Sequence, residues 1–131
     1  MVLDDIKVLQ DSTYNAYKPK EEKHLIAFFN TGCGHCQDVA AKLGINKNAG
    51  QKIDVNCFFV EEEPAIEEFL KNCYGESFKI YQLKDPELFI RLSGFELPSI
   101  YLIDRNSSTL KHWTGNVINF STLDYLLGLD P

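Results

Sequence analysis

The 131-residue chain has little of what several protein classes require. Its four cysteines are too few for a disulfide-dense scaffold. Lys and Arg number 13 against 19 Asp and Glu, the formal net charge is −6, and no basic patch occurs, which argues against a nucleic-acid partner. No apolar run approaches the roughly 18 residues of a membrane span. The start, Met1-Val2-Leu3-Asp4-Asp5, lacks the charged and then apolar segments of a secretory leader. Two cases fit these absences: a cytosolic protein, or a mature or trimmed piece of something longer. There is no internal repeat and no low-complexity segment. What remains is ordinary: 44% apolar residues, 24% charged, and a length that one core can organise. A single domain over residues 1–131 is expected, with 1–23 as an N-terminal extension.

The informative stretch is His24-Leu25-Ile26-Ala27-Phe28-Phe29-Asn30-Thr31-Gly32-Cys33-Gly34-His35-Cys36. Leu25 to Phe29 reads as a strand buried on both faces, because it is short, continuously apolar and aromatic. A break at Asn30 to Gly32 follows. Gln37 to Leu43 then reads as a helix with Val39, Ala40 and Leu43 on one face. The cysteine pair therefore sits where a buried strand becomes a helix. Free N–H groups and the positive end of the dipole gather in a helix's first turn and favour a thiolate at Cys33. Cys36 is one turn away. A close pair with one activated member is a dithiol–disulfide switch.

The rest of the chain alternates. A possible edge strand lies around Ile6 to Leu9, and Gln10 to Lys23 is a polar loop. Gly44 is expected to end the first helix, with loop from Asn46 to Lys52. Ile53 to Val60 reads as a second core strand, with Ile53, Val55, Cys57 and Phe59 on one face. Glu61-Glu62-Glu63-Pro64 opens a helix, since acidic residues and proline suit a first turn. Its apolar face is Ala65, Ile66, Phe69, Leu70 and Cys73. Phe78 to Leu83 is extended. Asp85 caps a helix with Pro86 at its first position, Leu88, Phe89 and Leu92 on its buried face, and Gly94 at its end. Ser99 to Asp104 and Thr109 to Trp113 form a hairpin around a polar turn, broken by Gly115. Ser121 caps a last helix carrying Leu123, Leu126 and Leu127. This order predicts an α/β fold, with a central mixed sheet and helices on both faces.

At these residues the chain resembles the thioredoxin superfamily. A CxxC that follows a buried strand and opens a helix is one signature of that family. Leu97-Pro98-Ser99-Ile100-Tyr101-Leu102-Ile103-Asp104 resembles the second, a cis-proline before the next-to-last strand pair. The resemblance covers about His24 to Leu127 and implies a thioredoxin-like fold. It implies a thiol–disulfide oxidoreductase that works through Cys33 and Cys36, with Gly34 and His35 between them, and that needs no cofactor and no metal. It also implies that the backbone of Leu97, beside Pro98, pairs with the substrate chain. The stretch between Cys36 and Pro98 is longer than in simple thioredoxins by a helix-sized insertion around Pro64 to Cys73. That resembles the TlpA-like branch, which is often extracytoplasmic and tethered to a membrane. A bacterial periplasmic location, a tether in a full-length protein, protein thiols and disulfides as substrates, and a further redox partner are implied with it.

There are departures. Gly32 stands where an aromatic residue often precedes the first cysteine. The buried acid that serves as a proton relay in simple thioredoxins would fall near Ala27. The Gly34-His35 dipeptide resembles that of protein disulfide isomerases, and His35 is expected to place partial positive charge near Cys33. The expected potential lies between about −270 and about −180 mV. Two other functions compete. One is a non-catalytic redox-sensing or docking domain of a larger membrane-associated protein. The other is a metal-binding module drawing on Cys33, Cys36, His35 and Cys57 or Cys73, which lacks the second CxxC or HxxxH pair of such sites. A peroxidase is disfavoured, because Thr31 alone does not supply the hydroxyl and arginine that support attack on peroxide. Cys57 and Cys73 fall on apolar faces and are expected to pack in the core, as is Trp113. His24 and His112 read as strand-edge residues without a role.

Overall fold

The computed structural model describes residues 23–50, 53–94, 96–104, 109–115 and 118. β1 (His24–Phe28) is buried at every position. It pairs in parallel with β2 (Asp54–Phe59) and antiparallel with β4 (Ser99–Ile103). β3 (Lys79–Gln82) runs parallel to β2, and β5 (Thr109–Thr114) antiparallel to β4. The five strands form one sheet in the order β3-β2-β1-β4-β5. A strand flanked on both sides and covered on both faces has to be apolar throughout, and Leu25 to Phe28 meets that demand. His24 is the exception. It is fully buried in the central strand, where the sequence suggested an edge position.

Among the described residues, three α-helices cover the two faces. α1 (Gly34–Asn48) and α2 (Glu63–Asn72) pack on one side, where Cys36, Val39, Leu43, Ile66 and Phe69 meet Leu25, Ala27, Phe29, Val55, Cys57 and Phe59. α3 (Pro86–Ser93) packs on the other, where Leu88, Phe89 and Leu92 meet Ile26, Phe28, Phe58, Tyr101 and Ile103. Successive residues of β1 and β2 thus feed opposite cores, as the two-residue period of a strand requires. Each buried Phe contributes roughly 1.5–3 kcal/mol through the water it sheds. The rings also meet in pairs: Phe28 stacks on Phe58 at 5.4 Å and meets Phe89 edge-on at 5.4 Å. One buried polar group, Asn56, is satisfied on the α3 side. Its Nδ2 donates to Leu25 O at 3.0 Å, and its Oδ1 accepts from Tyr81 OH at 3.1 Å.

The helix signals of the later chain match the structure. Asp85 Oδ1 accepts from Glu87 N at 3.0 Å and Leu88 N at 3.3 Å, and Gly94 closes α3 in the left-handed region at φ 78°. Ile66, Phe69 and Cys73 are buried as the spacing of α2 predicts. The end of α1 is a correction. Gly44 does not terminate the helix, which continues to Asn48, so Asn46 to Asn48 are helical and not loop. A Cβ at Gly44 would fall on the carbonyl oxygens of Cys73 and Tyr74. Glycine is there for close approach, and the turn after α2 presses its backbone against α1. The strand expected over Ile53 to Val60 is shorter, Asp54–Phe59. The strand near Ile6, the polar segment up to residue 22, the turn at 105–108 and the helix from Ser121 lie outside the described residues.

Candidate active site

β1 ends against β2, where Phe29 N donates to Phe58 O at 3.2 Å. Asn30 then turns the chain. Its Oδ1 accepts from Gly32 N at 2.8 Å, and its carbonyl accepts from Cys33 N at 3.1 Å. A short polar side chain that binds its own backbone two residues on is a strong turn former, and Asn30 supplies it. The turn delivers Cys33 to the N-cap of α1 with extended backbone, φ −94° and ψ 117°. Its sulfur takes the part a Ser or Asp oxygen plays at other helix starts: Cys36 N donates to Cys33 Sγ at 3.3 Å.

The two sulfurs differ in environment. Cys33 is half-buried and Cys36 is fully buried against the core on the α1 side. Burial pushes the Cys36 thiol well above its ordinary value, and the neighbouring Cys33 and the Glu61 carboxylate add to the rise. A hydrogen bond from the Asn30 backbone works in the opposite direction. One thiol therefore meets solvent at a helix N-terminus, and the other is held back, neutral, behind it.

His35 reaches the segment that follows β5. Its Nε2 lies 3.2 Å from Gly115 O and 3.1 Å from Ile118 O. Both partners are acceptors, so Nε2 carries the hydrogen and donates. Gly115 follows β5 with φ 54°, and its N–H donates to Pro98 O at 2.8 Å. The first turn of α1, the end of β5 and the Leu97–Pro98 turn are thus joined by hydrogen bonds. The Leu97–Pro98 peptide is cis. Pro98 is buried, and Leu97 is half-buried between the two cores. Gly34 is exposed, and a Cβ there would meet nothing within 4 Å.

Cys57 and Cys73 are free and buried in the core shared with Cys36, and burial raises both thiols. Cys73 Sγ donates weakly to Gln37 O at 3.5 Å. Trp113 packs against the same core. His112 is not idle: it stacks on Tyr101 with ring centroids 3.7 Å apart, and its Nε2 is 2.7 Å from Ser99 Oγ.

Sequence reasoning missed Asn30, Gly115 and Glu61. Glu61 read only as the acidic lead-in to a helix. Its Oε1 is buried with no hydrogen-bond partner among the described residues.

No protein-family model matches the chain, and no curated relative does. Solved structures match it through the fold. A secreted disulfide oxidoreductase of Mycobacterium tuberculosis, homologous to DsbE of Escherichia coli, superposes with a TM-score of 0.70 at 14% identity, covering 93% of this chain and 95% of that one. This is the thioredoxin-like fold. StoA of Bacillus subtilis shares it with a TM-score of 0.63 and 15% identity, over 82% of this chain and 83% of its own. So does a protein from Chlorobium tepidum described as a putative thiol:disulfide interchange protein DsbE, with a TM-score of 0.62 and 21% identity, over 82% and 77%. Within the thioredoxin-like fold of this chain, the CxxC opens α1 and the cis peptide precedes β4.

Proposed function

We propose that the chain is a single-domain thiol–disulfide oxidoreductase of the TlpA-like kind, acting on protein substrates through Cys33 and Cys36. The observation that carries this reading is the asymmetry of the two sulfurs: Cys33 half-buried at the N-cap of α1, Cys36 fully buried one turn on. In the reducing direction, the Cys33 thiolate attacks a substrate disulfide and forms a mixed disulfide, and the displaced sulfur leaves as a thiolate. Cys36 then attacks Cys33, closes the Cys33–Cys36 disulfide and releases the second substrate thiol. Two electrons pass from the dithiol to the substrate, and the reverse sequence oxidises a substrate dithiol. Leu97 and the cis Pro98 offer backbone for the substrate chain to pair with, and His35 and Gly34 set the first turn. The structural relatives include a secreted protein and an exposed lipoprotein thioredoxin of Streptococcus pneumoniae. No helix among the described residues is long and apolar enough to cross a membrane. An extracytoplasmic setting, reached through a longer tethered protein, fits both.

The experiment is a redox titration in glutathione buffers, with trapping by alkylation and readout by mass. The expected result is one reversible two-electron transition confined to Cys33 and Cys36, at a potential between about −270 and about −180 mV, with Cys57 and Cys73 protected until unfolding. Absence of any transition in Cys33 and Cys36 would reject the enzyme.

A further inference from the structure

A buried thiol that has to attack needs a place for its proton. Cys36 is fully buried, and its thiol is pushed up foremost by that burial. Ala27, a β1 residue that shares its core, has no proton-accepting group. The parallel register supplies one from the next strand instead. Phe28 pairs with Phe58, and Phe29 N donates to Phe58 O, so β2 leaves the sheet beside Asn30. Glu61 is two residues beyond the end of β2. Its backbone carbonyl is held by Gln82 Nε2 at 2.6 Å, while its Oε1 is buried without a partner among the described residues. An unpartnered buried carboxylate oxygen is costly and calls for a hydrogen-bonding partner.

We propose that Glu61 is the proton acceptor for Cys36, an assignment that rests on the oxidoreductase reading above. The step balances. With Cys33 joined to a substrate sulfur, the Cys36 S–H gives its proton to the Glu61 carboxylate. The resulting thiolate forms the Cys33–Cys36 bond, and the Cys33–substrate bond breaks with its electron pair on the departing sulfur. The Glu61 proton then passes to that sulfur or to water, and the carboxylate is restored. The titratable groups set against Cys36 are Cys33 and Glu61. His35, on the same helix, spends its Nε2–H on Gly115 and Ile118.

The test separates the two half-steps. Reduced full-length protein is mixed with oxidised glutathione, quenched in acid at intervals and read by intact mass, which distinguishes the glutathione mixed disulfide from the closed form. In Glu61→Gln, attack by Cys33 keeps its rate within about twofold and glutathione release slows by about a hundredfold, the scale of one general acid–base group. Glu61→Asp, which keeps the carboxylate, recovers part of the loss. A second readout does not use turnover: the pH dependence of Cys36 alkylation in a Cys33→Ser background. There Glu61→Gln moves the midpoint down, because the carboxylate charge opposes the thiolate. Easier ionisation combined with slower release is a pairing that loosened packing does not produce. Unchanged release in both Glu61 variants, or an unmoved alkylation midpoint, overturns the assignment. Failure of the wild-type chain to form any mixed disulfide would instead reject the oxidoreductase, and the alkylation shift would still report on Glu61.

Discussion

Replacing Gly44 with alanine should destabilise the protein, although helix propensity alone says the reverse. Gly44 lies inside α1, where alanine is favoured over glycine by about 1 kcal/mol. The new methyl, however, would fall on the carbonyl oxygens of Cys73 and Tyr74, with the Tyr74 carbonyl carbon at 3.0 Å. These are backbone atoms of a tight turn, in which Tyr74 holds a left-handed φ of 55° and cannot swing aside as a side-chain end would. Overpacking of a close contact costs about 3 kcal/mol at the upper end of its usual range. The net is about 2 kcal/mol of lost stability, or a melting temperature lower by about 7 °C for a chain of this length. Gly34→Ala is the control, because a Cβ there meets nothing within 4 Å. Its stability should stay within about 0.5 kcal/mol of wild type. Thermal and urea unfolding of the three proteins decide the matter. A Gly44→Ala variant as stable as wild type would refute the close approach of the 73–74 turn to α1.

The His112 imidazole, desolvated against Tyr101 and Ser99, is lowered from 6.5 to about 4. Its contribution to stability is therefore complete above the unfolded histidine value and is lost as pH falls from about 6.5 to about 4; an NMR titration with a midpoint near 6.5 would contradict the stacked, desolvated ring. Tyr81→Phe removes the hydroxyl that donates to Asn56 Oδ1 and leaves that oxygen buried, at a cost of about 1–2 kcal/mol in urea unfolding. A neutral substitution would mean that Asn56 finds another donor.

Much of the sheet was legible because its signals are local. The apolar run of β1, the two-residue alternation of β2, the acidic, proline-led start of α2 and the capping Asp85 of α3 each report on neighbours in sequence. The misreadings share one cause. Gly44 looks like a helix terminator unless one knows that Cys73 and Tyr74 press against it. His24 looks peripheral until β4 is placed along its other side. In each case the deciding partner is remote in sequence, and a residue pattern has no period that reports it.

The site itself follows from strand direction. β2 is parallel to β1, so it ends where β1 ends, and Glu61 arrives beside the turn that carries the cysteines. β4 is antiparallel to β1, with Phe28 opposite Ser99, so β4 begins at that same end and brings Leu97 and Pro98 with it. β5 returns antiparallel to β4, with Thr114 opposite Ser99, and sets Gly115 within reach of both Pro98 and His35. Four segments that are distant in sequence meet at one end of the sheet because of these pairings alone. A change in the direction of any one strand would carry its residue to the far end, some 15 Å away for a five-residue strand. The chemistry of Cys33 and Cys36 therefore depends on the topology as directly as on the two sulfurs.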